Sequence, residues 1–178
     1  SELSRYPSFD FAVIPDVIDG DEQANDKLLA EWPWQGIKSA TIGAPVWHMH
    51  ESIDRLQRLA RAYHRICIGS SGQFATVGDY KWWQRMAEAM NAITDKQGLP
   101  ICKLHGLRML NPEVFSRLPL GSADSTNIAQ NVGIDSKWRG TYTPASKDVR
   151  AIVMRERIES VNSLTFWNKQ PIQMDLAA

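Results

Sequence analysis

The chain has 178 residues, of which 43% are hydrophobic and 22% charged, and its 20 Lys and Arg residues balance 20 Asp and Glu residues. This composition excludes a disordered chain, and charged residues interrupt every apolar run before it reaches the ~20 residues of a membrane-spanning helix. Without a positive excess, any contact with nucleic acid has to be a local patch.

We expect one domain at 1–165 followed by a C-terminal tail at 166–178, because 178 residues is a usual length for a single domain. The first residues lack the apolar segment of a secretory signal, which predicts a cytoplasmic protein without membrane partners. Cys67 and Cys102 are far apart and belong to no metal-binding motif. They are therefore predicted to be reduced, buried thiols, and we expect no structural zinc and no cofactor.

Short apolar runs alternate with longer amphipathic stretches along the chain. The runs predict five buried strands, at 11–14, 45–47, 65–68, 101–104 and 118–120. The stretches predict a helix at about 22–32 with Asp19 or Asp21 as its cap, and further helices that begin after Ser52, after Asp79 and at Asn111-Pro112. A last helix is predicted from Ser146 to about Leu164, with its apolar side chains facing inward: Val149, Ile152, Val153 and Val161. This alternation predicts an α/β fold with parallel strands, fewer than the eight strands of a closed barrel.

Ligands of such folds bind at the carboxyl ends of the strands, so we looked there for candidate residues. Asp16 follows the first run and either accepts hydrogen bonds from ligand N–H groups or shapes a turn. His48 and His50 follow the second run: either they bind a metal together with His105 and Asp124, or one histidine faces a pocket while the other packs.

The third run ends in a small-residue loop, Gly69-Ser70-Ser71-Gly72. Its backbone N–H groups can approach a phosphate or a base carbonyl closely, although flexible turns use the same residues. The loop lacks the Gly-Lys-Ser/Thr ending of a Walker A motif.

The last two runs end in a histidine segment and an aspartate segment. His105, Gly106 and Arg108 either line a pocket or mark the edge of the core. Asp124 lies among small residues, which suits a nucleophile, a metal ligand or a turn-capping side chain.

Taken in chain order from about Phe9 to Asn131, these segments resemble the later half of the tRNA-guanine transglycosylase superfamily, including relatives that insert deazaguanines into DNA. Asp16 matches the family's base-binding aspartate. His48-Met49-His50 replaces the family's Gln-Gly-Gly. The remaining matches are the glycine loop at Ile66–Gly72, the strand and helix start at Leu104–Leu107 and Asn111-Pro112-Glu113, and the nucleophile segment at Asp124-Ser125 with Asn127 and Asn131.

The resemblance implies a fold similar to a TIM barrel but incomplete. The zinc cluster of the family, three cysteines and a histidine, is missing from a chain with only 2 cysteines. The family's Asp-Ser-Gly-Gly-Phe-Gln segment, with its general acid/base, would precede residue 1. Three explanations stay open: a fragment, a chain completed by another copy or another polypeptide, or an inactive descendant.

Three functions are therefore compared below. The first is a pentosyltransferase that exchanges a guanine-like or 7-deazaguanine base in DNA or tRNA, with Asp124 as nucleophile and with Asp16 and Gly69–Gly72 on the base. For this enzyme we also expect a pocket wall from Trp47 or Phe74 and a phosphate patch from Arg108 and Arg139. The second is a metal-dependent hydrolase using His48, His50, His105 and Asp124, and the third is a non-catalytic half-barrel that binds a base.

Overall fold

The computed structural model describes residues 7–33, 42–125 and 142–169. Within those ranges the strands, β1 to β6, lie at Ala12–Val13, Gly43–Ala44, Val46–His48, Arg65–Gly69, Lys103–Gly106 and Ser122–Ala123. The α-helices, α1 to α5, lie at Glu22–Glu31, Ile53–Ala62, Tyr80–Ile93, Pro112–Phe115 and Lys147–Glu159, and a 3-10 turn lies at Gly72–Phe74.

All strand pairs are parallel, which confirms the predicted α/β class. β1 pairs with β2, and the other four strands form a sheet in the order β3-β4-β5-β6. Only Pro45 separates β2 from β3, and its carbonyl accepts a hydrogen bond from the Cys67 N–H at 2.8 Å. The strands therefore follow one another in space as they do along the chain.

Each long helix begins at a residue whose side chain accepts a hydrogen bond from the first turn. These N-caps are Asp21, Ser52, Asp79 and Ser146, as the sequence predicts. An N-cap satisfies backbone N–H groups that have no partner inside the helix. The capping residues fix where each helix starts, and so fix the length of the loop that precedes it.

The main core lies where α2 and α3 pack against the four-stranded sheet. Leu56 and Met86 from these helices meet Trp47 and Ile68 from the strands, all four with no exposed surface. Successive side chains of a strand point to opposite faces, so Trp47 enters this core while His48 faces the other way. Of the two residues predicted as a pocket wall, Trp47 or Phe74, Trp47 is therefore excluded.

Some element boundaries differ from the predictions. Ile101 is 46% exposed and β5 begins two residues later. Leu118 and Leu120 are buried but precede the strand, which forms at Ser122–Ala123. Apolar runs mark burial, whereas a strand also needs a partner for its backbone.

Helix α5 is shorter and more exposed than predicted. It ends at Glu159 and contains no buried residue, and both Val149 and Ile152 are 45% exposed. The pattern of its apolar residues is helical, and the inward prediction holds only at its C-terminal end, where Ile158 and Val161 pack against the main core.

Part of the predicted tail is attached to the core. The Trp167 backbone N–H donates to the Gly98 carbonyl and its Nε1–H donates to Asn91 Oδ1, each at 2.8 Å. The indole is buried, while residues 170–178 lie outside the described residues. No helix in the described part of the chain is long and apolar enough to cross a bilayer.

Candidate functional site

A cleft of about 630 Å³ lies at the carboxyl ends of the strands. It brings together six of the predicted site residues, which lie at or just after the ends of five different strands: Asp16, His48, Gly69, Ser70, Arg108 and Asp124. The remaining lining residues are mostly apolar or small: Val13, Ile18, Ala75, Val77, Leu107 and Ser125. Ligand pockets commonly combine an apolar lining with a few polar groups in this way.

Asp16 and His48 form one polar pair of the cleft. His48 Nε2 lies 2.9 Å from Asp16 Oδ2, and the imidazole is only 3% exposed. The two atoms are not aligned for a hydrogen bond, and neither ring nitrogen has a hydrogen-bond partner among the described residues. A Cβ on Gly69 would lie 3.3 Å from His48 Nδ1, so a glycine here leaves room for the ring.

A buried network behind the cleft holds this pair in place. The Glu51 carboxylate accepts hydrogen bonds from the His48 backbone N–H at 2.8 Å, from Arg55 at 2.7 Å and from Asn25 at 3.1 Å. Asn25 in turn accepts from the Val17 N–H at 2.8 Å, directly after Asp16. One carboxylate thereby fixes both segments that carry the polar pair.

Asn25, Glu51 and Arg55 are not among the site residues predicted from the sequence. The signal was present, since Glu51 and Arg55 have the i,i+4 spacing of a helical ion pair and lie on either side of the Ser52 cap. Charged side chains are expected on the surface, whereas here both Glu51 and Arg55 are at most 1% exposed.

The glycine-serine loop is held by its own side chains. Ser70 Oγ accepts a hydrogen bond from Trp82 Nε1 at 2.9 Å, and Ser71 Oγ lies 2.7 Å from His50 Nδ1. Gly72 has φ +55°, in the left-handed region that favours glycine. His50, Ser71 and Gly72 are not among the described lining residues, so their contacts indicate support of the loop.

Asp124 is the exposed carboxylate of the cleft. Its Oδ1 accepts the Arg108 backbone N–H at 2.7 Å, and Oδ2 lies 3.4 Å from His105 Nε2. His105 is buried, and its Nδ1 lies 2.8 Å from Ser122 Oγ. The Asp124 side chain remains 54% exposed, so a ligand can reach it.

The loop that carries Arg108 is tightly constrained. A Cβ on Gly106 would lie 2.9 Å from Leu120 Cδ1 and from Met109 Cβ. Arg108 itself has φ +57°, which is unusual for a residue with a side chain. This conformation directs its N–H to Asp124.

The predicted metal ligands fall into pairs. His48 lies beside Asp16, His105 lies beside Asp124, and His50 lies beside Ser71. Across the ranges 7–33, 42–125 and 142–169, no three His, Cys, Asp or Glu side chains are placed to hold a metal ion together.

Cys67 is a buried thiol, as the sequence predicts. Burial raises the pKa of Cys67 to about 12, with Asp124 and Asp16 adding to the increase and Arg65 opposing it. Cys102 is half-buried rather than buried as predicted, and burial raises its pKa to about 12 as well. Thiols in this state are neutral and unreactive near neutral pH.

No protein-family model, curated protein or solved structure matches this chain. The chemistry of the site therefore has to be argued from its own geometry. The cleft offers a carboxylate that a ligand can reach, a second carboxylate beside a buried imidazole, and an exposed arginine among its lining residues, Arg108. The predicted residues Asn127, Asn131 and Arg139 lie outside the described part of the chain.

Proposed function

We propose that the strand-end cleft holds a guanine-like base of a nucleic acid and that the protein exchanges this base by pentosyl transfer. One observation carries the proposal: Asp16, which follows the first strand, and Asp124, which follows the last strand, line the same cleft of about 630 Å³. This volume lies in the ordinary range for small-molecule sites, roughly 300–1,000 Å³.

Asp124 is suited to act as the nucleophile. The Arg108 N–H orients Oδ1, and the carboxylate is both exposed and close to Arg108 at the cleft rim. Its oxygen would attack the anomeric carbon of the sugar, and the electron pair of the broken glycosidic bond would leave with the base. The incoming base then reverses the step and releases the carboxylate.

Asp16 is suited to bind the base. Its carboxylate can accept two N–H groups of a purine edge, and the Asn25–Glu51 network fixes its backbone. The Gly69 and Ser70 segment lines the cleft nearby and offers backbone groups to the base. Hydrogen bonds of this kind gain strength when the base excludes water from the cleft.

The sequential order of parallel strands also supports the finer fold proposal, a part of a TIM-like barrel. In such barrels the reacting residues come from the ends of several strands. The separation of the site residues among five strand ends fits that arrangement.

The decisive experiment is a search for the covalent intermediate. The protein is incubated with end-labelled single-stranded DNA and RNA containing guanine, and the products are separated on a denaturing gel. We expect an adduct with the wild-type protein that Asp124→Ala abolishes and that the matched control Asp54→Ala, at an exposed first-turn residue of α2, retains.

Exchange of labelled guanine into the same strands provides the second readout. An adduct that survives Asp124→Ala would remove the proposed nucleophile. Guanine binding without adduct and without exchange would instead establish the non-catalytic base-binding protein. The metal-dependent hydrolase has no comparable support, because its four ligands do not converge in the described ranges.

A further inference from the structure

A second pocket, of about 300 Å³, lies beside the strand-end cleft. It is lined by one face of α3 and by the 3-10 turn: Gln73, Phe74, Lys81, Gln84, Arg85 and Glu88. The chain segment 70–77 contributes to both sites, since Ser70, Ala75 and Val77 line the cleft while Gln73 and Phe74 line the second pocket. One chain segment thus takes part in both sites.

The second pocket is lined by an aromatic ring, Phe74, and by a guanidinium that is held in place, Arg85. The Arg85 guanidinium carbon lies 5.6 Å from the centre of the half-buried Phe74 ring and 5.4 Å from that of Trp47. The guanidinium N–H groups donate to the backbone carbonyls of Met49 and Glu51 and to the Glu88 carboxylate, so the group cannot easily turn away. Aromatic rings and fixed guanidinium planes are the surfaces on which nucleobases stack.

The second pocket also carries one positive charge that is not balanced. Arg85 and Glu88 pair with each other. Lys81 is exposed, and no salt bridge joins it to another described residue. A lysine ammonium is a compact point charge that suits a phosphate.

We infer that this second pocket binds the nucleotide adjoining the one in the strand-end cleft, with its base against Phe74 and Arg85 and its phosphate near Lys81. The inference rests on the proposed function, because it takes the ligand of the cleft to be part of a strand. It assigns the protein a single-stranded substrate, since a base inside a duplex cannot stack on a protein ring.

The test measures binding of a fluorescently labelled five-nucleotide strand by anisotropy at several salt concentrations. Phe74→Leu keeps an apolar side chain but removes the ring, and should weaken binding roughly 5- to 150-fold. Lys81→Gln should lower the slope of log K against log salt by about 0.7, the value for one phosphate contact.

Matched controls come from the same residue types elsewhere. Phe166→Leu and Lys96→Gln change exposed residues outside both pockets, and should leave strand binding unchanged. Binding of free guanosine should be equal in all variants, because the nucleoside occupies the cleft alone.

Three results would overturn the inference. The first is wild-type affinity for the strand in both Phe74→Leu and Lys81→Gln. The second is a loss of guanosine binding in those variants as large as their loss of strand binding, and the third is no binding of the five-nucleotide strand by the wild-type protein. Failure of the proposed function is a separate outcome. If the expected strand-binding pattern is found but neither adduct nor exchange is detected, the second pocket stands and the transferase chemistry does not.

Discussion

Removing the Glu51 carboxylate is the sharpest test of how the cleft is held together. Glu51 accepts hydrogen bonds from three donors, and both it and Arg55 are almost completely buried. Loss of one partner of a buried ion pair costs about 3–5 kcal/mol, because the other charge remains in a poorly solvated place. Asp26 still lies 3.0 Å from Arg55 Nε, so we expect the lower end of this range for Glu51→Ala.

A loss of about 3 kcal/mol corresponds to a Tm decrease of about 6–12 °C for a chain of this size. Urea unfolding followed by tryptophan fluorescence measures the free energy directly. The control is Glu31→Ala, which removes an exposed pair with Lys27 and should cost less than about 1 kcal/mol.

A double substitution separates charge from packing. Glu51→Ala combined with Arg55→Met removes both charges, and it should be less destabilising than Glu51→Ala alone. If Glu51→Ala costs no more than Glu31→Ala, the network does not stabilise the cleft and the argument for fixed Asp16 and His48 fails.

Three further predictions address other parts of the structure. Arg108→Gly should raise the free energy of unfolding by about 0.5–1 kcal/mol, because glycine adopts a positive φ without strain. The same substitution should weaken strand binding. A free energy of unfolding equal to or below that of the wild-type protein would show that the Arg108 backbone is not strained. Cys67 and Cys102 should resist iodoacetamide at pH 8 until denaturant is added, as read by mass spectrometry. Burial raises both pKa values to about 12. The contribution of the two neutral thiols to the free energy of unfolding is therefore complete at pH values below the pKa of an unfolded thiol. This contribution is lost as the pH rises towards 12, because the unfolded chain then loses the thiol protons first. Trp167→Ala should cost about 3–5 kcal/mol in urea unfolding, and a change below 1 kcal/mol would show that the C-terminal segment does not belong to the folded unit.

The sequence predicts the elements of this fold better than the details of its site. Helix caps such as Ser52 and Asp79 are local signals, because the capping side chain bonds to its own first turn. Buried strands also show in composition, as at Ile66 and Ile68. Boundaries that depend on a distant partner, such as the start of β6 at Ser122, leave no local pattern.

The site is predicted in position but not in detail. Parallel strands place their carboxyl ends together, which was enough to group Asp16, Gly69 and Asp124. The network around Glu51 is only partly local: the spacing of Glu51 and Arg55 is visible in the sequence, but Asn25 lies 26 residues before Glu51. Burial of the Glu51 carboxylate becomes evident only when the positions of its hydrogen-bond donors are known.

The first strand is short, and in the described part of the chain it is paired on one side only. β1 contributes two paired residues beside β2, and the Ile14 N–H adds one hydrogen bond to the Ala44 carbonyl at 2.9 Å. β4, by contrast, has a neighbour on each side. Amide hydrogens of β1 should exchange with solvent through local opening long before those of β4. Opening should therefore begin at β1 while the four-stranded sheet stays intact, and the segment directly after Asp16 should stay attached through Asn25 and Glu51.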